Sequence, residues 1–303
     1  MKRLSFSLLL AGLLCSPLAR SAAAEHSPDQ KKMNVIFFLV DDFGWADVGY
    51  QGSSLYETPN IDRFAKEGMR FSHAYAACPV CSPTRASILT GEYPARLHLT
   101  DWLPGRKDFP FQKLKNVHSA QHLPYDQPTL PKVLKENGYE TAIFGKWHLG
   151  EDENSTERQG FDLHVPQWNK GWPNGTYFSP FGMKGLEGGP KGQYLTDRLT
   201  DEALKWVVKN KDHPFFLYLA HFAVHDPIQG RGDLVVKYEN KLNHAQPEKG
   251  RPFILEGNPD DANPLSRESL NELLQQKPYR GFSLLPHRTV KIKQHQDNPQ
   301  FAA

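Results

Sequence analysis

Three short apolar runs punctuate an otherwise mixed chain of 303 residues. Val35 to Val40 reads VIFFLV, Thr141 to Phe144 reads TAIF, and Phe215 to Ala220 reads FFLYLA. Each is too short for a buried helix and rich in β-branched or aromatic residues, so each predicts a strand. The first and third lack polar alternation, which predicts strands buried on both faces and central in a parallel sheet. Helical patterns lie between them. Thr58-Pro59-Asn60 opens a helix expected to run to Glu67 and stop at Gly68. A second is expected over Pro83 to Leu89, closing near Gly91. A third spans Leu130 to Glu136, with Thr129 as cap and Gly138 as stop. Leu199 to Lys209 is amphipathic. Strands alternating with helices predict an α/β fold with a mostly parallel central sheet sandwiched by helices. From about Gly230 the pattern decays. Residues 230–303 are expected to be variable and loop-rich, and within them 251–300 is polar and lacks a convincing strand. A new helix is expected to begin at Asn298-Pro299, and the chain is expected to stop short of a complete domain.

The first residues follow the pattern of an export signal. Lys2 and Arg3 precede an apolar run, Leu4 to Leu14, that is too short to cross a bilayer, and Ala22-Ala23-Ala24 offers a cleavage site. Cys15 follows the bulky Leu14, which disfavours a lipid anchor, so cleavage after Ala24 is expected. The mature chain would then be exported, periplasmic or secreted, with no stable membrane insertion. Removing Lys2, Arg3 and Arg20 leaves 33 basic against 34 acidic residues. No basic excess remains to suggest a nucleic-acid partner.

Only Cys78 and Cys81 remain after cleavage. They make neither a disulfide framework nor a four-cysteine zinc site. A Cys-x-x-Cys redox pair normally opens a helix in a small fold, and here the second cysteine is followed at once by Ser82-Pro83-Thr84-Arg85.

Ligands of open α/β sheets gather beyond the C-terminal ends of strands. All three predicted strands end there in polar residues: Asp41-Asp42, Gly145-Lys146-Trp147-His148, and His221 to Pro227. Adjacent carboxylates suit a hard cation such as Ca²⁺, or serve as a helix cap plus a surface acid. Lys146 and His148 lie two apart on an extended segment, so they share a face and can hold an anion. His221 and His225 have the spacing of a helical zinc pair, but they follow a predicted strand. One exposed catalytic histidine and one structural histidine is the better reading.

Cys81-x-Pro-x-Arg85 resembles the signature of the type I sulfatases, in the alkaline phosphatase superfamily. Four more stretches resemble that family in order: NVIFFLVDDFGWADVGY at 34–50, TPNIDRFAKEGMRF at 58–71, GYETAIFGKWHLG at 138–150 and FAVHDPIQ at 222–229. The resemblance implies an alkaline phosphatase/sulfatase-like fold, with residues 25–303 the N-terminal part of its catalytic domain. It also implies roles. Cys81 would be oxidised to formylglycine by a formylglycine-generating enzyme, and would ligate one Ca²⁺ together with Asp41 and Asp42. Arg85 would hold the formylglycine hydrate, Lys146 and His148 would contact the sulfate, and His225 would meet the leaving side.

The implied reaction is hydrolysis of an aryl or carbohydrate sulfate. A plain thiolate would be trapped as a stable sulfur adduct. A geminal diol can instead attack sulfur with one hydroxyl, form a covalent sulfoenzyme, and expel sulfate by collapse of the other. Cys78 is expected to stay free, since a disulfide to Cys81 would block this maturation.

The family's later Asp-Asn calcium ligands and a further lysine have no counterpart. Asp297-Asn298 lacks a buried strand to deliver it and is rejected as that pair. The chain as it stands is therefore expected to be poorly active and to expose an apolar sheet edge. A phosphate or phosphonate ester hydrolase of the same superfamily and a non-catalytic sulfated-glycan binder are the competing readings. The substrate is expected to be a sulfated small molecule or polysaccharide. Trp168, Trp172 and Tyr177 are candidates for stacking on sugar rings. The basic segment Arg288 to Lys293 is a candidate contact for an anionic polymer.

Overall fold

The computed structural model describes residues 31–106, 108, 114–152, 155–245 and 297–303, with the backbone of three short strands between 253 and 293. The expected export signal lies outside the described residues, as do Arg288, Thr289 and the side chains of 290–293 in the basic segment. Asn34–Ala303 forms one compact unit.

Its main sheet has four strands: β1 Val35–Leu39, β2 Glu140–Gly145, β3 Leu163–Val165 and β4 Phe215–Ala220. All pairings are parallel, in the order β1-β4-β2-β3. Among the described residues seven α-helices accompany the strands: α1 Pro59–Glu67, α2 Cys81–Thr90, α3 Leu130–Glu136, α4 Ser155–Arg158, α5 Leu195–Asn210, α6 Gly232–His244 and α7 Pro299–Ala302. On one face Ala86 and Leu89 of α2 meet Ile143, Phe216 and Tyr218, with Leu130 and Leu134 of α3 beside them. On the other, Ala203 and Trp206 of α5 cover Ala142, Phe144, Phe215, Leu217 and Leu219. The expected helix-sheet-helix sandwich is present.

Strand β4 is buried at every residue, as its unbroken apolar run predicts. Strand β1 is not central, contrary to expectation. It lies at the sheet edge, and Ile36 and Phe38 are each more than half exposed. The physical reason is coverage. Val35, Phe37 and Leu39 pack on the α2 face, while α5 reaches only over β2 and β4.

Other departures are local. Helix α2 begins at Cys81, two residues before the expected start, and α5 begins at Leu195. Thr129 does not cap α3 with its side chain; its hydroxyl donates to the Gln159 carbonyl. The region after Gly230 is more ordered than its polarity suggests. It holds α6, whose Val235 and Tyr238 are buried, and an antiparallel sheet β5-β7-β6 made of Phe253–Glu256, Val290–Lys293 and Phe282–Leu284. The expected helix at Asn298 is α7, and the Asn298 side chain accepts from the Gln300 amide as its cap.

Candidate active site

The C-terminal ends of β1, β2 and β4 are stitched together by main-chain hydrogen bonds. His221 N donates to Leu39 O (3.0 Å), Lys146 N to Ala220 O (2.7 Å), Asp41 N to Ala223 O (2.9 Å) and Val224 N to Asp41 O (2.7 Å). The junction requires Gly145. Its φ is +112°, and a Cβ there would stand 1.9 Å from the Ala220 carbonyl oxygen. The three polar segments flagged by the sequence thus converge at one edge of the sheet.

Cys81 is the first residue of α2. Pro83 is tolerated because it lies in the first turn, where amides lack intrahelical partners. Gly91, at φ +72°, ends the helix. Arg85 lies one turn beyond Cys81 and is brought to the same strand ends. It is 1% exposed, and its Nη1 donates to the Lys146 carbonyl at 2.7 Å. Its Nη2 stands 3.4 Å from Asp41 Oδ1, and Lys146 Nζ is in direct contact with Asp41 Oδ2. A carboxylate and two cations therefore share one buried cluster. Burial alone would raise the Asp41 carboxyl, but the Arg85 and Lys146 charges outweigh it and hold it below the usual range. Burial, and then Arg85, pulls Lys146 below the ordinary lysine value despite Asp41.

His148 sits in a left-handed conformation at φ +58°. Its Nε2 is 2.7 Å from the Leu103 carbonyl, which can only accept, so Nε2 carries the proton. Nδ1 is then an acceptor, 3.3 Å from Cys81 Sγ. Burial, followed by the Lys146 charge, pushes the ring down to about 3, which keeps it neutral at ordinary pH. Gly171 lies against the ring, where a Cβ would come within 2.3 Å of it.

Asp42 and His225 form the open side. Asp42 Oδ2 lies 3.9 Å from His225 Nε2, with side chains 58% and 24% exposed. His225 Nδ1 is 3.0 Å from the Asp226 carbonyl, and the Tyr177 hydroxyl donates to the His225 carbonyl at 2.9 Å. His221 is buried, edge-on to Phe38, and held down to about 4 by burial.

Of the three candidates for sugar stacking, Tyr177 is ruled out. Tyr177 is 2% exposed and committed to the His225 loop, so no sugar can stack on it. Trp172 is exposed and edge-on to His148. Cys78 and Cys81 are both free. The sequence reading missed the Leu103 carbonyl, which leaves no side-chain signature, and Gly171, which stands visibly between Lys170 and Trp172.

The residues present do not by themselves fit Ca²⁺. Both oxygens of Asp41 face cations, Cys81 faces His148, and among the described residues no three His, Cys, Asp or Glu side chains gather as a metal group. Calcium takes about 6–8 oxygen ligands.

The family model described as Sulfatase matches residues 33–249. Mouse N-acetylgalactosamine-6-sulfatase is 35% identical over 239 residues, covering 71% of this chain and 44% of its own length. N-acetylglucosamine-6-O-sulfatase of Bacteroides thetaiotaomicron is 35% identical, covering 72% of this chain and 35% of its own. Among solved structures, Ps i-CgsB in complex with k-i-k-neocarrahexaose superposes with a TM-score of 0.56 at 34% identity, over 69% of this chain and 49% of that one. A protein solved with its substrate D-glucosamine-2-N,6-O-disulfate gives a TM-score of 0.54 at 30% identity, over 70% of this chain and 38% of that one. The chain spans less than half the length of these relatives. With four of its five ordered motifs meeting at one set of strand ends and the family model covering most of its length, the chain belongs to the sulfatase family.

Proposed function

We propose that the protein hydrolyses a carbohydrate sulfate ester, giving the free sugar hydroxyl and sulfate, after Cys81 has been converted to formylglycine. The observation that carries this reading is the placement of Cys81. It opens α2 beside two buried cations and 3.3 Å from a neutral histidine nitrogen that can only accept. The named relatives that act on sulfated amino sugars support the carbohydrate class.

The residues present fit formylglycine. Arg85 Nε and Nη2 are buried without a hydrogen-bond partner among the described residues, and such groups call for an oxygen-rich neighbour. A hydrated formylglycine supplies a nucleophilic hydroxyl and a second hydroxyl whose deprotonation releases sulfate. Around it, Arg85 donates to the hydrate oxygens, and His148 Nδ1 accepts and orients a hydroxyl proton. Lys146 and Arg85 stabilise the anionic sulfuryl group in a site shielded from water. His225 Nε2, on the open side, delivers a proton to the departing sugar oxygen. No step is routed through Ca²⁺. A calcium ion at Asp41, Asp42 and residue 81 would need further oxygen ligands and would have to displace Lys146 from Asp41.

This reading includes maturation by a formylglycine-generating enzyme and export. No helix among the described residues is long and apolar enough to cross a membrane.

The test is co-expression with a formylglycine-generating enzyme, mass analysis of the Cys81 peptide, and rates on matched aryl sulfate and aryl phosphate esters and on a 6-sulfated amino sugar. The expected outcome is an aldehyde at position 81, slow turnover by the chain as it stands with preference for sulfate over phosphate, and no turnover by Cys81→Ala. Full activity with an unmodified thiol, or far faster phosphate turnover, overturns the reading.

A further inference from the structure

Just outside His148 lies a cleft that the proposed chemistry does not use. Glu151, Gln167, Trp168, Asn169, Lys170 and Lys184 line a space of about 170 Å³. That is several times the ~30 Å³ share of one water. It is also below the ~300–1,000 Å³ of a drug-sized pocket, so it suits one small polar unit.

The lining has the chemistry of an anionic sugar site. Trp168 is half-buried, which fixes its ring, and Lys170 Nζ stands 5.6 Å from the ring centroid. An indole face takes the C–H face of a sugar, and an ammonium beside it takes an anionic substituent. Lys184 adds a second cation; Glu151 is the one carboxylate in the lining, and Glu187 lies close enough to Lys184 outside it for their charges to interact. Neither lysine enters a salt bridge among the described residues.

The cleft is also braced. Trp168 Nε1 donates to the Trp172 carbonyl (2.7 Å), Gln167 N to the Lys184 carbonyl (2.8 Å), and Asn169 Nδ2 to the Asp152 carbonyl (2.8 Å). It is coupled to the candidate active site by short chain connections. Gly171 packs on the His148 ring and Trp172 meets it edge-on at 6.3 Å, while Glu151 follows His148 by three residues. A second cavity, between Tyr177, Tyr194, Val224 and His225, has no lysine or arginine in its lining and belongs to the leaving-group side of the site already described.

We propose that the Trp168–Lys170–Lys184 cleft is a second sugar subsite, which binds a sulfated neighbour of the sugar being desulfated. The substrate class is then a multiply sulfated oligosaccharide rather than an aryl sulfate. This rests on the proposed function and adds to it the identity of the group beside the scissile one.

The experiment compares mature wild type with the Lys170→Ala/Lys184→Ala variant on three substrates. They are a multiply sulfated tetrasaccharide, the same tetrasaccharide carrying only the scissile sulfate, and 4-nitrophenyl sulfate. An exposed charge contact is worth up to ~1 kcal/mol, or about fivefold in affinity. The KM for the multiply sulfated substrate is therefore expected to rise about fivefold or more, with kcat unchanged. The KM values for the other two should stay put. Added salt should raise the wild-type KM on the multiply sulfated substrate more than that of the variant. An unchanged KM on that substrate, or an equal rise on all three, overturns the proposal.

If none of the esters is cut, the proposed function fails on its own account. The cleft is then read by calorimetry, titrating the multiply sulfated tetrasaccharide into Cys81→Ala with and without the lysine substitutions. Weaker binding by the lysine variant supports the subsite, and equal affinity overturns it.

Discussion

Two adjacent carboxylates follow the same strand and meet opposite fates. Asp41 is buried with Arg85 and Lys146 around it. Asp42, the next residue, is 58% exposed and faces only the imidazole of His225, at 3.9 Å. The difference arises from backbone direction. Asp41 still exchanges strand-like hydrogen bonds with the Ala223–Val224 segment, whereas Asp42 turns to φ +53° and leaves the sheet. A single peptide unit separates a desolvated cluster from an open pair, which under the proposed function hold the anion and meet the leaving group respectively. The buried group is expected to tie stability to activity, and the open group to carry activity alone.

The largest effect should come from unbalancing the buried cluster. Asp41→Asn leaves Arg85 and Lys146 as neighbouring buried cations without their carboxylate. Removing one partner of a buried ion pair costs about 3–5 kcal/mol, because the remaining charge stays desolvated. Urea denaturation should show a loss of that size. Adding Lys146→Met should return part of it, since the double variant no longer buries the lysine charge. A loss for Asp41→Asn under ~1 kcal/mol, the range of surface pairs, would erase the contrast between the two regions.

Acid should act next, again on the buried side. His148 is held down to about 3, and His164 and His221 to about 4, chiefly by burial, against an ordinary value of 6.5. The unfolded chain therefore takes up protons below pH 6.5 that the folded chain refuses. Stability is full above 6.5 and falls with decreasing pH, by about 1.4 kcal/mol per pH unit for each ring. Asp41 adds a further loss only below its unfolded value near 3.8, as the pH falls through its lower folded value. Urea midpoints at pH 7, 6 and 5 should drop steadily. His221→Phe should flatten that slope by one ring's share. His221 Nδ1 has no hydrogen-bond partner among the described residues, so the substitution forfeits no bond at that nitrogen. Parallel slopes for the two proteins would show that the ring is not kept neutral by its surroundings.

How far the chain could be read without coordinates follows from what a local pattern contains. The strands β1, β2 and β4 and the polar residues at their ends were legible, because an apolar run that stops abruptly at carboxylates or histidines carries both facts. The position of β1 was not. VIFFL and FFLYLA read alike, yet one is half-exposed and the other wholly buried, and the difference is made by α5, more than 150 residues away from β1 in sequence. Helix α6 was hidden because its buried stripe is narrow amid charged neighbours, and β5 to β7 because short antiparallel strands need few apolar residues. At the site, Cys81 and Arg85 were named from their resemblance to a family signature, and Lys146 and His148 from their place at the end of a predicted strand. The acceptor that sets the His148 tautomer is a main-chain carbonyl at Leu103, and the tyrosine that braces His225 looked like a sugar platform. Neither depends on residue type in a way that spacing could reveal.

The smallest change in stability is expected on the open side, and it sharpens the comparison most. His225→Gln removes an imidazole that is partly solvated and pairs with Asp42 only across 3.9 Å. Asp42→Asn removes the other half of that contact. Exposed pairs of this kind are worth about 0–1 kcal/mol, so urea midpoints should barely move for either variant. The rate should respond differently, because loss of a general acid typically costs about 10²–10⁴-fold. His225→Gln should therefore keep its fold and its formylglycine while kcat on a sugar sulfate collapses. A leaving group that needs no proton, such as 4-nitrophenolate, should recover most of that rate. If His225→Gln instead unfolds as readily as Asp41→Asn, or slows the activated and the sugar esters alike, His225 is a brace for its loop and the two regions do the same work.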